Sequence, residues 1–126
     1  MTDLEAGGSS RLAELEVQLG RRPDEIAATL LAELTGCLEQ LTDAVRAGEL
    51  DGAARAAHAA RSSALLLDDR PLVDALGELE GAARALEAPA VAVAHARVTE
   101  LWGPLRERLR GAAAAEGGAG AQSGGA

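Results

Sequence analysis

Residues 72–86 read L-V-D-A-L-G-E-L-E-G-A-A-R-A-L, a stretch whose apolar side chains recur at alternating spacings of four and three residues. The positions that make this stripe are Leu72, Leu76, Leu79, Ala83 and Leu86. That period belongs to one face of an amphipathic α-helix. The preceding Asp68-Asp69-Arg70-Pro71 indicates a helix start, because an acidic cap and an early proline suit the first turn. We therefore predict a helix that buries this stripe and ends before Pro89.

The same helical period runs through the rest of residues 10–110. We predict a short first helix after Ser9-Ser10, a second over Pro23–Gly48 and a third from near Glu49 to about Leu67. A last helix follows Pro89 and is expected to break or kink at Gly103-Pro104. Each of these helices is predicted to bury one stripe of apolar residues. The stripe is Leu12, Leu15 and Leu19 on the first helix, and Ile26, Leu30, Leu34, Cys37, Leu38, Leu41 and Val45 on the second. It is Ala53, Ala57, Ala60, Ala64 and Leu67 on the third, and Val91, Ala94, Val98, Leu101, Leu105 and Leu109 on the last.

Composition points to helices rather than a sheet. Apolar residues make up 48% of the 126-residue chain, enough for a core, but Trp102 is the one aromatic residue. Strands favour aromatic and β-branched side chains, whereas Leu and Ala favour helices. Because the predicted connections are short, successive helices should be antiparallel neighbours. The sequence therefore predicts an all-α, antiparallel up-down four-helix bundle over residues 10–110, with a short N-terminal covering helix and flexible tails at 1–9 and 111–126.

Charge and cysteine content exclude several classes of function. The net charge is −8 and every basic residue is an arginine, without a basic stripe that would suit nucleic acid or an anionic membrane. No apolar stretch approaches the length of a membrane span, and no basic leader is visible at the start. The lone Cys37 offers neither a disulfide nor a zinc site. We expect a cytoplasmic, soluble monomer that binds no metal or cofactor.

His58 is the main candidate for a functional residue. It lies in the Ala-rich third helix, rotated about 100° from the inward-facing Ala57 and therefore at the edge of the buried face. Arg61 and Ser62 follow one helical turn later and share its surface. A neutral imidazole nitrogen is a nucleophile, and a guanidinium pairs well with phosphoryl oxygens. This arrangement predicts a phosphoryl-accepting surface, although on spacing alone a helical histidine near an arginine is more often an ordinary boundary residue.

A family resemblance adds to that interpretation. Residues 57–68 read A-H-A-A-R-S-S-A-L-L-L-D, and from about Leu30 to Arg84 the chain resembles a histidine-containing phosphotransfer (HPt) domain. In that family the phosphorylatable histidine lies in a motif close to A-H-x-L-K-G-S-[AS]-x-x-[LIV]-G. His58 stands at the histidine, and Arg61 stands at the lysine. Gly48-Glu49 before the motif and Leu79-Glu80 with Arg84 after it also match the family's pattern.

Three positions depart from the family's motif. Ala60 replaces a leucine, and Ser62 and Asp68 replace two glycines. The serine is small and lines the surface that a partner approaches. The aspartate removes the easy helix stop that a glycine provides. These departures keep an alternative open, in which the chain is a non-phosphorylated HPt-like helical bundle that acts as a protein-interaction module.

The resemblance implies that the chain is a carrier in a two-component phosphorelay. His58 would relay a phosphoryl group to or from response-regulator receiver domains or a hybrid sensor histidine kinase, and Arg61 and Ser62 would stabilise the group. The receiver would supply Mg²⁺, so the chain would be a stoichiometric carrier rather than an enzyme. The residues expected to contribute to the docking surface around the histidine are Ala54, Arg55, Ala59, Leu65 and Leu66.

Overall fold

The structure is a computed structural model that describes the backbone of residues 3–125 and the side chains of residues 11–114. Its five helices are α1 (Asp3–Leu19), α2 (Pro23–Ala47), α3 (Leu50–Leu66), α4 (Arg70–Arg84) and α5 (Ala88–Gly125). The described residues contain helices and turns but no strand. The predicted all-α class and the order of the helices are therefore confirmed.

The helices fall into two compact units, Ala32–Pro104 and Met1–Leu31 with Leu105–Ala126. In the first, four helical segments pack as an up-down bundle, because side-chain contacts join α3 to α4, α3 to α2 and α2 to α5. Turns at 48–49, 67–69 and 85–87 connect the successive helices. The second unit contains α1, the start of α2 and the end of α5. Its buried side chains include Leu15, Ile26, Leu30, Leu105 and Leu109.

The core of the Ala32–Pro104 unit combines an alanine face on α3 with a leucine stripe on α4. On α3 the fully buried residues include Ala53, Ala57, Ala60 and Ala64, and on α4 they are Leu72, Leu76 and Leu79. These positions confirm most of the stripes predicted for α3 and α4. On α1, Leu19 was predicted to be buried, and that prediction is wrong, because this last residue of the helix is 51% exposed. Alanine lets two helices approach closely, so α3 and α4 pack tightly along their length. A longer side chain at the rim of α3 can therefore reach a partner on α4.

Three helices end in the same turn, with one residue in the left-handed conformation. Gly48, Asp68 and Leu86 have φ of 72°, 55° and 59°. In each turn the N–H of the next residue donates to a carbonyl five positions back, which is a Schellman ending. Aspartate tolerates this conformation, so α3 stops here although Asp68 stands where the HPt motif that the sequence resembles has a glycine. Asp69 then caps α4 as predicted, since its carboxylate accepts from the Leu72 N–H at 3.1 Å.

The prediction that Leu86 belongs to the buried stripe of α4 is wrong. The side chain is 75% exposed, because α4 ends at Arg84 and Leu86 lies in the turn beyond it. Its spacing continues the helical period of the sequence, but the backbone has already left the helix.

Two helix boundaries also differ from the expectation. α1 begins at Asp3 rather than after Ser9-Ser10, and α5 continues through Pro104 to Gly125. Pro104 has no N–H to donate to the helix ladder, yet α5 does not end there. Ala112–Ala115 have the highest helix propensity, which favours continuation past residue 110. The flexibility predicted for 1–9 and 111–126 concerns segments whose side chains lie mostly outside the described residues, and it stays a prediction.

No helix among the described residues is both long and apolar enough to cross a membrane.

Candidate functional site

His58 is exposed at the rim of α3 and is anchored by one ring nitrogen. Its side chain is 62% exposed, while its Nδ1 lies 3.3 Å from Oε1 and 3.2 Å from Oε2 of Glu80 on α4. Among the described residues, no hydrogen bond to its Nε2 is found. Nδ1 of His58 therefore faces Glu80 on α4, and Nε2 is available to a binding partner.

Glu80 is held in place from its own helix. Arg84, one turn later, donates from Nε at 3.1 Å and from a terminal nitrogen at 2.9 Å to Oε2 of Glu80. The glutamate side chain is only 14% exposed, whereas that of Arg84 is 57% exposed. Burial raises the pKa of Glu80, but the hydrogen bonds and positive charges of Arg84 and His58 outweigh it, and the net pKa is lowered. Glu80 is therefore a carboxylate at neutral pH.

The ionised Glu80 determines the tautomer of a neutral His58. A carboxylate only accepts hydrogen bonds, so Nδ1 must carry the proton. In the neutral ring, Nε2 then holds the lone pair. A carboxylate that fixes an imidazole in this way also offsets positive charge that develops on the ring. The pair presents a nucleophilic nitrogen on an exposed helix face.

Arg61 lies one turn after His58 on α3, and its side chain rests on α4 near Gly77. Its Nε is buried and has no hydrogen-bond partner among the described residues. That nitrogen is 3.6 Å from the point where a Cβ on Gly77 would lie. The side chain as a whole is half-buried. The predicted stabilising cation thus lies one helical turn from His58, and it forms no ion pair with any acidic side chain that the structure describes.

Ser62 is exposed on the same face. Its hydroxyl donates to the His58 backbone carbonyl at 3.4 Å, a long hydrogen bond that costs little to break. The hydroxyl can therefore turn toward a group bound at the imidazole.

One of the five predicted docking residues is buried, so it cannot contribute to an exposed docking surface. Ala54 is 1% exposed, because it precedes the inward-facing Ala57 by one turn and shares its buried face. Arg55, Ala59, Leu65 and Leu66 are exposed, the two leucines at 44% and 42%. Arg55 is paired with Asp51 on the preceding turn. Together with His58 and Ser62, the four exposed residues form one continuous ridge along α3, which we call the α3 ridge.

An open groove borders the α3 ridge. It lies between α2 and α3, has a volume of about 490 Å³, and is lined by residues that include Arg55 and Ala59. Its lining combines small residues, such as Ala44 and Gly52, with the acidic Asp43 and Glu49. A partner that reaches His58 from this side therefore meets a concave surface.

The second histidine has a different environment. His95 on α5 is half-buried, and its Nε2 lies 3.0 Å from the Thr42 hydroxyl on α2. Burial lowers the pKa of His95, and the charge of Arg46 lowers it further. It is a neutral boundary residue that joins two helices.

Cys37 is half-buried, and burial and then the nearby Glu33 raise its thiol pKa. The thiol is thus less reactive than a free cysteine. Among residues whose side chains the structure describes, no group of three or more His, Cys, Asp or Glu could hold a metal ion.

Glu80 and Gly77 are the two residues of this site to which the sequence assigned no role. A signal for both was present: His58 and Glu80 are equally far along the chain from Asp69, and so are Arg61 and Gly77. Antiparallel helices joined by a tight turn bring such pairs together. Comparison with models of protein families, with curated proteins and with solved structures gives no match. The site is therefore interpreted from its own geometry and from the HPt resemblance of the sequence.

Proposed function

We propose that the protein is a histidine phosphotransfer carrier of a two-component phosphorelay, with His58 as the residue that takes up and gives away the phosphoryl group. The observation that carries the proposal is the exposed His58, whose Nδ1 is held by the ionised Glu80. The HPt resemblance of residues 30–84 supports it independently. The alternative histidine, His95, is half-buried and its Nε2 lies against Thr42.

The transfer step follows from the ring geometry. Nε2 of His58 attacks the phosphorus of an aspartyl phosphate on a receiver domain, and an N–P bond forms as the P–O bond to the aspartate breaks. The aspartate leaves as a carboxylate with the electron pair of that bond. The proton stays on Nδ1, and the positive charge on the ring is offset by Glu80. Transfer to the next receiver is the same step reversed.

The remaining components of the reaction are divided between the two proteins. Arg61 and Ser62 lie one turn from His58, where a guanidinium and a hydroxyl can donate to phosphoryl oxygens. The receiver supplies the acidic residues and the Mg²⁺ that hold the phosphoryl group on its side. This chain is then a stoichiometric carrier with no turnover of its own. With partners of this kind, the proposed carrier acts as a monomer in the cytoplasm.

The exposed residues of the α3 ridge would form the docking surface. Leu65 and Leu66 provide apolar area on one side of His58, and Ala59 leaves the approach to the ring uncrowded. Arg55 lies on the other side and also borders the groove between α2 and α3. Small side chains near the histidine allow the receiver's phosphoryl group to reach Nε2 closely.

The test is a phosphotransfer assay with radiolabelled phosphate on a panel of receiver domains and hybrid kinases. Wild type is compared with His58→Gln and His95→Gln, which together remove each of the two histidines of the chain. We expect label on wild type and His95→Gln, lost in acid and kept in base, and none on His58→Gln. Circular dichroism should show equal helix content in all three, because His58 is mostly exposed.

Ser62 and Asp68 at the two glycine positions of the motif favour one competing function, a docking module that exchanges no phosphate. If no donor labels the folded wild type while a receiver still binds it, the carrier proposal is rejected in favour of that module. Label on His58→Gln would reject His58 as the acceptor.

A further inference from the structure

Arg61 on α3 contacts α4 at Gly77, and neither helix propensity nor backbone conformation explains why position 77 is a glycine. Gly77 lies inside α4, where glycine weakens a helix, and its backbone has no positive φ that would demand glycine. What distinguishes the position is the Arg61 Nε, which lies 3.6 Å from where a Cβ would be. The missing side chain leaves a shallow gap on α4, and the arginine fills it.

The charge of Arg61 is unusual in this acidic chain. The protein has 20 acidic and 12 basic residues, and Arg55 and Arg84 each pair with an acid one turn away. On α3 the positions one turn from Arg61 are Ala57, His58, Ala64 and Leu65, none of them acidic. Across the contact, Glu80 is occupied by His58 and Arg84. Within the described residues, the buried Nε of Arg61 is left without an acceptor.

We propose that Gly77 is a positioning residue for Arg61, an inference that rests on the proposed function. The bare helix surface at Gly77 lets the arginine stem lie flat on α4, which holds the guanidinium one turn from His58 while keeping it out of existing ion pairs. The cation is then available to the oxygens of a phosphoryl group on His58 Nε2. A side chain longer than a methyl group at position 77 displaces Arg61 from this place.

The steric argument separates two substitutions. A Cβ at 3.6 Å is in ordinary van der Waals contact with Arg61, so Gly77→Ala keeps the arginine in place and should also raise helix stability. Gly77→Leu adds atoms beyond Cβ that occupy the space of the arginine stem. Gly81→Leu is the matched control, because Gly81 lies one turn later on α4 and nothing lies within 4 Å of its Cβ position. Gly77→Val replaces Gly77→Leu if the leucine variant does not fold.

Two measurements test the proposal. The first is hydrogen exchange of the Arg61 Nε–H, followed by NMR on the unphosphorylated protein. We expect slow exchange in wild type, Gly77→Ala and Gly81→Leu, and fast exchange in Gly77→Leu. The second is the rate of label transfer from a phosphorylated receiver. Gly77→Leu should be slowed by roughly tenfold or more, to the rate of Arg61→Ala, the loss typical of one charged hydrogen bond.

A double variant distinguishes positioning from general damage to the bundle. Gly77→Leu combined with Arg61→Ala should transfer no more slowly than Arg61→Ala alone, because the two changes remove the same interaction. Equal exchange of the Arg61 Nε–H in Gly77→Leu and Gly81→Leu would overturn the proposal, whatever the labelling assay gives. Altered exchange with a transfer rate equal to that of Gly81→Leu would overturn its link to phosphate. Absence of label on the wild type would instead reject the proposed function.

Discussion

The Nδ1 of His58 lies 3.2 Å from a carboxylate oxygen of Glu80 across the contact between α3 and α4. Both residues are equally far along the chain from Asp69, the cap residue in the turn that joins the two helices. The orientation of the imidazole is thus set by the packing of two helices rather than by a flexible loop. Arg84 completes the arrangement by donating to the same glutamate oxygen, Oε2, at 2.9 Å.

Removing Glu80 should slow phosphoryl transfer without unfolding the protein. Glu80→Ala leaves Nδ1 without its acceptor, so both neutral tautomers of His58 become populated and the charge on the phosphorylated ring is no longer offset. We expect transfer to slow by roughly tenfold to a hundredfold, the range for loss of a hydrogen bond to a charged group. Glu80→Gln keeps an acceptor and should fall in between. Nitrogen NMR shifts of His58 report the tautomer directly.

Glu100→Gln is the control for this series, because Glu100 is an exposed glutamate on α5 that pairs with Arg97 rather than with His58. It should transfer at the wild-type rate. Glu80→Ala with unchanged rate and an unchanged tautomer would show that the carboxylate does not orient the ring.

Glu80 should also make stability depend on acid pH. Its folded pKa lies below the ordinary value of 4.5, so its contribution is fully present above that value and is lost as pH falls through the folded pKa. At about pH 7 we expect wild type to be more stable than Glu80→Gln by about 1 kcal/mol. The difference in the free energy of unfolding should shrink below about pH 4.5. Urea denaturation at several pH values measures it, and a difference independent of pH would contradict the assignment.

The fold was predictable where period and turn chemistry agree. The leucines of α4 recur at helical spacing behind an acidic cap, and all that lie within the helix are buried. Leu86 continues the same spacing but lies beyond the helix, because backbone hydrogen bonds of the turn, and not side-chain hydrophobicity, end α4. Hydrophobic period alone carries no information on where such a turn forms.

The candidate site was only partly predictable for a related reason. His58 at the edge of α3 follows from the position of Ala57, but Ala54 could not be assigned to a face with certainty, since alanines surround α3 on several sides. Identical side chains give no contrast between buried and exposed positions. The roles of Glu80 and Gly77 depend on the register between two helices, which only the turn at Asp69 sets.

His95 should destabilise the protein as the pH falls. Its folded pKa is lowered below the ordinary 6.5 by burial and by Arg46, so the neutral form is favoured in the folded state. Stability is therefore full above about pH 6.5 and is lost as pH falls toward and through the folded pKa. His95→Gln removes this titration and should flatten the curve between about pH 6.5 and 5. Thermal melting across that range tests it, and an equal slope in both proteins would contradict it.

Leu86→Gly should stabilise the protein, although it deletes a large apolar side chain. Leu86 has φ of 59° and is 75% exposed, so it carries the strain of the left-handed conformation and gains little from burial. Glycine removes that strain at the end of α4, and we expect a gain of about 1 kcal/mol in the free energy of unfolding.

Asp68→Gly is the matched comparison at the end of α3. Aspartate adopts the left-handed conformation more readily than leucine, and Asp68 also forms an exposed ion pair with Arg70 at 3.2 Å. Its replacement should therefore gain less than that of Leu86. Denaturant midpoints of the two variants and wild type decide the order. A lower midpoint for Leu86→Gly would mean that the leucine side chain stabilises the folded state by contacts that outweigh the strain of its backbone.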